Sequence, residues 1–458
     1  MAFSPIGNLD LGRFLQIVFT RGAMVQVTKS QREWEMINKM RDGNPNGRER
    51  RFLFINSLGY AAAQTRNPNF TSAFPAAQKA QISENIAYYK ELDVTVELEY
   101  NLWKAASLTP EKYAEPLAKE IELKSIVARR LMGLLAFGDG TGVLGQAASA
   151  ASDTTGAGGY ATVQLKTGAS DRGHVRWFQF GDLILNKQVS GAAPASAPSV
   201  SGGSFYAWRV KNQLPKLDQV VLEAVDSAGN VLSLTASNIA QNNLFYRVGQ
   251  QVIADLSGAV GDYGSLTDVM PGFDSLVSND SRLVHGITMA GAAAGTVLDW
   301  AGQQIDVRAL QEGLDEVDMR TGKGEFAFKM AVMAPETRAA MIESRETDRR
   351  FTDITDVNRG GKGFGYIHDE DTVLYYPAEF CPKQRIYVLP EGKQDGNKVI
   401  SYFGTDFEPV SDPMGNKFHL KPSSAGGHER NIISYMTARG TMVCHRPAAV
   451  LKIQNFTV

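Results

Sequence analysis

The hydrophobic pattern of this sequence changes its period once, close to residue 109, and that change limits the folds open to the chain. Before it, apolar and polar side chains alternate from Asp93 to Tyr100, which predicts a half-buried β-strand. After it, Thr109 and Pro110 form a typical helix start, and apolar residues then recur three or four positions apart as far as Phe137. The second pattern predicts a helix of roughly 25 residues, about 37 Å long.

A glycine-rich stretch, FGDGTGVLG, follows this helix directly. Gly140, Gly142 and Gly145 match the letters of the dinucleotide-binding loop, which raises the alternative of a nucleotide-dependent enzyme that uses residues 138–145. That loop must follow a strand and open a helix, because the pyrophosphate binds at the helix N-terminus, and here the order is reversed. The sequence therefore predicts a helix stop and a tight turn, formed by Gly138, Asp139, Gly140, Thr141 and Gly142.

The residues before the helix look like segments without a core of their own. Residues 1–50 contain few large apolar side chains and are expected to form an arm, with a basic cluster at Arg48, Arg50 and Arg51. Residues 51–106 are expected to form a long β-hairpin around a loop rich in Asn, Pro and Ser. Because such a ribbon is marginal in isolation, we expect arm and hairpin to be covered by other copies of the chain.

The rest of the chain is first β-rich and then mixed. Residues 146–299 contain two tracts rich in Ala, Ser, Gly and Pro and several short β-type runs, with one hairpin expected around 228–230. Residues 300–395 combine an amphipathic helix, the apolar strand FAFKMAVMAP and a second helix. Residues 396–445 and 446–458 are expected to end the chain in further strands.

Composition and motifs favour a structural protein over an enzyme. Lys plus Arg number 47 against 49 Asp plus Glu, so a net charge of -2 supplies no long-range field for nucleic acid or an anionic membrane. No segment reaches the ~18 apolar residues that crossing a bilayer requires, and no secretory signal is expected. The histidines are scattered and no nucleophile motif is present, so no catalytic residue, cofactor or metal is predicted. Cys381 and Cys444 are expected to be reduced thiols.

Three stretches of the sequence resemble the major capsid proteins of tailed bacteriophages with the Hong Kong 97-type fold. The first is LLAFGDGTGVLG, a helix that ends in a glycine-rich turn, and the second is FAFKMAVMAPETRAAMIESRE, a strand followed by a helix. The third is MTARGTMVCHRPAAVLKIQNF, in which an Arg-Pro step joins two strands. They occur in the order and at the spacing of that family, and with their flanking segments they cover most of residues 1–145 and 300–458.

The resemblance implies an α+β capsid fold with an inserted all-β domain. Its parts would be an N-terminal arm (1–50), an extended loop or β-hairpin (51–106), a peripheral domain with the spine helix (107–145), a β-rich insertion in the axial domain (146–299), the axial α/β domain (300–395), the long strands of the peripheral domain (396–445) and a C-terminal strand of the axial domain (446–458).

In function, the resemblance implies a shell without catalysis. Copies would assemble as hexamers and pentamers into an icosahedral head around double-stranded DNA, in the host cytoplasm, and remain in the virion. Implied partners are other copies, a separate scaffolding protein, a portal, a cement or decoration protein, and DNA held without sequence-specific binding. Some members of the family cross-link Lys to Asn, for which Lys79 would be the candidate, although this chemistry is not expected. Candidate contacts between subunits are Arg48, Arg50, Arg51, Lys79, Arg349 and Arg350.

Other classes of protein stay open beside the capsid protein. An encapsulin-like shell would share the fold but enclose cargo enzymes, and neighbouring genes would discriminate the two. A β-rich tail or adhesin protein would form tubes or fibres instead of closed shells. The nucleotide-dependent enzyme that uses residues 138–145 is the most distant alternative.

Overall fold

The computed structural model describes residues 34, 36–41, 49–57, 81–99, 126–128, 130–167, 173–187, 197–248, 269–346, 365–368, 371–393, 397–404, 408–409, 419–422 and 428–458. The α-helices within these ranges are α1 (126–128 and 130–137), α2 (Phe273–Leu276), α3 (Val307–Thr321) and α4 (Pro335–Glu346). The part of the long predicted helix before residue 126 lies outside the described residues.

Strands make up most of the described chain, in agreement with a mixed α+β class. The first thirteen are β1 (Asn38–Arg41), β2 (Glu49–Ser57), β3 (Gln81–Tyr88), β4 (Lys90–Glu99), β5 (Val143–Gln146), β6 (Ser152–Thr154), β7 (Tyr160–Gln164), β8 (Leu183–Lys187), β9 (Ser199–Ser201), β10 (Ala207–Leu214), β11 (Gln219–Val225), β12 (Ser233–Ala236) and β13 (Leu244–Arg247). The others are β14 (Leu283–Val284), β15 (Ile287–Thr288), β16 (Thr296–Asp299), β17 (Phe326–Met333), β18 (Gly365–His368), β19 (Asp371–Pro377), β20 (Arg385–Gly392), β21 (Ile400–Gly404), β22 (Glu408–Pro409), β23 (His419–Pro422), β24 (His428–Cys444) and β25 (Leu451–Gln454).

The C-terminal α/β unit is a six-stranded sheet in the order β16-β25-β20-β17-β19-β18. Helix α3 begins where the sequence predicts an amphipathic helix, and the carboxylate of Asp306 caps it by accepting from the N–H of Ala309 at 3.2 Å. Its apolar face, with Leu310, Leu314 and Val317 buried, packs against β16 and β25. The predicted strand and second helix of this unit are β17 and α4.

Residues 296–299 belong to this sheet although the sequence division places them in the β-rich stretch. They form β16, which pairs in parallel with β25 from Thr296 opposite Leu451 onward. The Thr296 hydroxyl donates to the carbonyl of Ala448 at 2.7 Å. The guanidinium of Arg320 in α3 donates to the carbonyls of residues 294 and 295. These contacts fix the strand on the C-terminal unit.

A second sheet is built around the 17-residue strand β24. All ten residues of β4 pair antiparallel with the middle of β24, from Lys90 opposite Gly440 to Glu99 opposite Asn431. The alternating pattern from Asp93 correctly predicts a strand here, but the expected hairpin between this strand and the one after Arg51 is wrong. β3 takes that place beside β2, and β4 continues from β3 into the β24 sheet.

Part of the predicted arm lies in the core of its own chain, against the expectation that other copies cover it. Trp34, Met36 and Ile37 are buried in the main hydrophobic core. The next residues form β1, which pairs in parallel with β21. The ring of Trp34 makes an edge-to-face contact with Tyr402 at a centroid distance of 5.3 Å. Residues 1–33 lie outside the described residues, so the expectation is untested for them.

The β-rich stretch contains a seven-stranded sheet in the order β5-β13-β8-β10-β11-β7-β6. The predicted turn around 228–230 is present, and the carboxylate of Asp226 accepts from the N–H groups of Ala228 and Asn230 at 2.9 and 2.8 Å. Beyond this turn the chain makes a single bridge, Val225 with Val231, and β12 then pairs with β9 instead of β11. The Asp226 turn therefore redirects the chain instead of closing a long hairpin.

The seven-stranded sheet is attached to the C-terminal unit by polar side chains at a shared seam. The indole N–H of Trp177 donates to the carbonyl of Phe380 at 2.8 Å. On the other side, Nζ of Lys383 lies 2.8 Å from Oδ1 of Asp218 in the turn between β10 and β11. Because both contacts are largely shielded from water, they hold the two sheets in a fixed relation.

Candidate functional site

The glycine-rich turn that ends α1 is organised by the carboxylate of Asp139. Its Oδ1 accepts hydrogen bonds from the backbone N–H of Thr141 at 2.9 Å and from the Thr141 hydroxyl at 2.5 Å. Gly140 and Gly142 have φ values of 78° and 77°, in the left-handed region that glycine adopts without steric cost. Gly138, the first residue after the helix, does not have a positive φ. The change in chain direction therefore takes place at Gly140 and Gly142.

The geometry of this turn does not suit a phosphate group. α1 precedes it and β5 begins at Val143, so the strand–turn–helix order of a dinucleotide loop is inverted. The amide of Thr141, which such a loop would direct at the phosphate, is bound by Asp139 instead. The cavity beside the turn, lined in part by Trp177 and Arg247, has room for a single water molecule. The turn joins α1 to the strand β5.

β2 and β3 form a two-stranded antiparallel structure, which we call the ribbon, and its two faces differ. Side chains that alternate along a strand point to opposite faces. On one face, Phe52, Phe54 and Ala87 of the ribbon are buried. They form an apolar cluster, separate from the main core, with residues of the body: Ile287, Ala293, Phe403 and Val443. The ribbon is thus fixed on the molecule by its inner face.

The outer face of the ribbon, which we define as Arg51, Leu53, Ile55, Ile82 and Glu84, brings apolar side chains into contact with water. Leu53 is 60% exposed and Ile82 is 57% exposed. They share a face because Leu53 is opposite Glu84 and Ile55 is opposite Ile82 in the antiparallel register. Arg51 and Glu84 form an ion pair at 3.9 Å beside them. The outer face is therefore a small mixed patch in which two exposed apolar side chains lie beside an ion pair.

Two of the basic residues predicted to contact other subunits lie in the ribbon. The guanidinium of Arg50 lies 5.4 Å from the centroid of the Phe403 ring, a cation–π contact that helps attach the ribbon to the body. Arg51 lies on the outer face. The remaining candidates are outside the described residues; they are Arg48, Lys79, Arg349 and Arg350.

Asp274 in α2 is the centre of a buried group of charges. Its Oδ1 lies 2.9 Å from Nη1 of Arg385 and 2.7 Å from Nζ of Lys452. It also accepts a hydrogen bond from the Tyr387 hydroxyl at 3.2 Å. The carboxylate of Asp139 adds a second negative charge near Arg385. Two carboxylates therefore balance two cations and connect the α1 turn, α2, β20 and β25.

Burial and charge act in opposite directions on this group. Burial favours the neutral carboxyl of Asp274, but the positive charges of Arg385 and Lys452 outweigh it and hold its pKa well below the usual range. Burial lowers the pKa of Lys452, and the negative charge of Asp274 opposes that change. A carboxylate that stays ionised and is fully engaged by cations clamps four segments together and is poorly suited to take up a proton.

Reasoning from the sequence missed this charge cluster, although it contains one signal. Lys452 interrupts the apolar run AAVLKI near the C-terminus, and a lysine in such a run needs water or a carboxylate. Nothing local to the sequence identifies Asp274 as that carboxylate, because the two residues meet only in the folded chain.

His174, beside the seam, is held in its neutral form. Burial, assisted by the charges of Arg176, Lys383 and Arg385, lowers its pKa to about 3. Nδ1 of His174 accepts from the backbone N–H of Arg176 at 3.2 Å and so caps the short 3₁₀ helix that follows. This imidazole caps a helix and supports the junction of the two sheets.

Within the described ranges, no three side chains among His, Cys, Asp and Glu are grouped as ligands of a metal ion. Nor does any helix in those ranges combine the length and apolar character needed to cross a membrane. Cys381 and Cys444 are buried free thiols, as the sequence predicts.

No protein-family model and no curated protein sequence matches this chain. Solved structures of capsid proteins do resemble it. The cyanophage A-1(L) capsid asymmetric unit is 8% identical, with 91% of this chain and 90% of that chain covered and a TM-score of 0.41. The procapsid of satellite phage P4 is 9% identical, with 98% and 97% covered and a TM-score of 0.39. The capsid of a native GTA particle is 11% identical, with 93% and 89% covered and a TM-score of 0.40.

Proposed function

We propose that this chain is the major capsid protein of a tailed phage, with a Hong Kong 97-type fold. Its copies assemble as hexamers and pentamers into an icosahedral head that encloses double-stranded DNA. The supporting sequence stretches have the conformations that the resemblance implies. LLAFGDGTGVLG is a helix, a turn and the strand β5; FAFKMAVMAPETRAAMIESRE is β17 followed by α4; the terminal stretch is the end of β24, a 3₁₀ turn and β25.

The outer face of the ribbon carries the proposal. Its strands are ordered and attached to the body through Phe52 and Phe54, yet Leu53 and Ile82 are more than half exposed on the opposite side. Because each of these side chains is little more than half exposed, its complete burial contributes about 1–2 kcal/mol. A second copy of the chain that covers this face gains that free energy at each contact, and in a closed shell every subunit both gives and receives such contacts.

The division of the chain follows from this proposal. We assign 1–50 to an arm whose strand β1 lies on its own body, and 51–106 to the extended loop, whose last strand β4 joins the β24 sheet. We assign 107–145 and 396–445 to the peripheral domain, and 146–395 with 446–458 to the axial domain and its β-rich insertion. A separate scaffolding protein directs assembly in the host cytoplasm, a portal occupies one vertex, and a cement protein binds outside. A net charge of -2 suits an inner wall that holds DNA without reading its sequence.

Electron microscopy of the full-length chain tests the proposal. The chain is produced alone and together with the products of its neighbouring genes, and the particles are imaged by negative stain. Closed shells or rings of five and six subunits are expected. Tubes or fibres would indicate a tail protein, and monomers under every condition would overturn the proposal.

The genes next to this one separate a phage head from an encapsulin-like compartment, which would form a shell as well. Terminase and portal genes are expected for a phage head, because DNA must be pumped into it. A cargo enzyme gene in their place would contradict the phage assignment while leaving the shell intact.

A further inference from the structure

His445, immediately after β24, joins the ribbon to the body through both of its ring nitrogens. Nδ1 lies 2.9 Å from the carbonyl oxygen of Leu53 in β2, and Nε2 lies 2.9 Å from the hydroxyl oxygen of Ser401 in β21. The backbone makes the same connection, because the N–H of Ile55 donates to the carbonyl of His445 at 3.0 Å. The ring also contacts Phe52 edge-to-face, at a centroid distance of 6.1 Å.

The partners of His445 determine its tautomer. A carbonyl oxygen can only accept, so Nδ1 carries the hydrogen and donates it to Leu53. In the neutral ring Nε2 is then the acceptor, and the Ser401 hydroxyl donates to it. Ser401 is buried, and its hydroxyl gives Nε2 a partner while Nδ1 is turned toward Leu53.

The bound carbonyl belongs to the residue whose side chain is the most exposed apolar group of the ribbon. We propose that His445 is a positioning residue: it fixes β2 on the body so that Leu53 and the rest of the outer face point toward the next copy of the chain. This role rests on the proposed function, because the outer face must be the surface that a second copy covers.

Two conservative substitutions of His445 separate this role from a general structural one. The amide nitrogen of Asn takes the place of Nδ1, so His445→Asn keeps the donor to the Leu53 carbonyl and loses the hydrogen bond with the Ser401 hydroxyl. The amide nitrogen of Gln takes the place of Nε2, so His445→Gln keeps a contact with Ser401 and leaves the carbonyl of Leu53 without its donor. The two variants differ in the bond that the proposal requires.

Hydrogen exchange of the full-length chain at concentrations below assembly is the first measurement. In peptides that cover β2, His445→Gln is expected to exchange roughly fivefold faster than the native chain, and His445→Asn less than about twofold faster. His368→Gln is the matched control, because His368 bonds Asp318 in the C-terminal unit, away from the ribbon. It is expected to leave β2 unchanged. Equal exchange in the Asn and Gln variants would overturn the proposal.

The second measurement is the rate of assembly, followed by light scattering. His445→Gln is expected to assemble roughly fivefold more slowly than the native chain, with His445→Asn close to it. Native-like assembly of His445→Gln, despite faster exchange in β2, would overturn the positioning role. If the native chain itself does not assemble, the proposed function fails, and the exchange data alone then decide whether His445 holds the ribbon.

Ser401→Ala covers the case in which His445→Gln does not fold. It keeps the imidazole but removes the hydroxyl that bonds Nε2 and helps hold the ring in place. Exchange in β2 is expected to rise about twofold with the other strands unchanged. No change in β2 would contradict the proposal.

Discussion

The ring of Tyr402 lies over Gly440, in the space that a Cβ on this residue would occupy: that atom would be 2.1 Å from the Tyr402 hydroxyl oxygen. Gly404 in β21 is paired with Gly440 in β24, and a Cβ on Gly404 would also be too close to the Tyr402 ring, at 2.5 Å. The Tyr402 ring in turn packs edge-to-face against Trp34. Two glycines in neighbouring strands therefore make space for the aromatic pair that holds Trp34 against the body.

Replacement of Gly440 by Ala is expected to lower the free energy of unfolding by about 1–3 kcal/mol, because the Tyr402 ring must move and its contact with Trp34 is disturbed. Urea unfolding followed by tryptophan fluorescence measures the change. Gly138→Ala is the matched control, since a Cβ there has its nearest neighbour at 3.5 Å. It is expected to change stability by less than about 0.5 kcal/mol. Equal effects of the two substitutions would contradict the packing described here.

The lowered pKa of His174 makes stability depend on pH in a defined window. Its pKa is about 3 in the folded chain and about 6.5 when unfolded, so between these values the unfolded chain binds the extra proton. Stability is therefore complete above pH 6.5 and falls on acidification, by up to about 1.4 kcal/mol per pH unit. His174→Asn keeps an acceptor for the Arg176 amide and should remove this slope between pH 6.5 and 4.5. Urea midpoints at several pH values test it, and an unchanged slope would contradict it.

The charge cluster around Asp274 is expected to make stability depend on pH in a more acidic range than His174 does. Because the folded pKa of Asp274 is held below that of the unfolded carboxyl, its contribution is complete above about pH 4 and is lost as the pH falls below that value. Asp274→Asn leaves Arg385 and Lys452 buried without this carboxylate and should cost about 3–5 kcal/mol at pH 7. Unfolding at pH 7 in urea measures the cost, and a loss below about 1 kcal/mol would show that the cluster is not a clamp.

The buried thiols are expected to be unreactive in the folded chain. Burial raises the pKa of Cys444 to about 12, so almost no thiolate is present at pH 8, and Cys381 is buried as well. Titration with a thiol-specific reagent should modify neither cysteine in native buffer and both in denaturant. Rapid modification of the native chain would contradict the burial of both residues.

The sequence predicted those elements whose formation depends on neighbouring residues in the chain. The amphipathic spacing of α3, the apolar run of β17 and the glycine turn after Phe137 each carry their own signal, and the structure confirms them. β3 was missed because its sequence, QISENIAY, has apolar residues such as Ile82 and Ile86 on the exposed side of the ribbon, mixed with polar ones. The pairing of β4 with β24 depends on contacts between distant segments, which periodicity does not report.

The candidate site was predictable only in part, for the same reason. A hairpin near Arg51 and a need for a covering surface follow from the sequence. The inner face, the charge cluster and the contact of His445 with Leu53 join residues that are far apart in the chain, and nothing in the sequence pairs them in advance.

The proposed function requires that another copy of the chain covers the outer face of the ribbon. Sedimentation velocity over a range of concentrations tests it, with the native chain compared with the double variant Leu53→Ser, Ile82→Ser. Phe180→Ser is the control, an 81% exposed apolar side chain outside the ribbon. The native chain and the control should assemble above the same threshold. The double variant should need at least about tenfold more protein while its unfolding free energy stays within about 0.5 kcal/mol of native. Assembly of the double variant at the native threshold, or a native chain that is monomeric at every concentration, would contradict the claim.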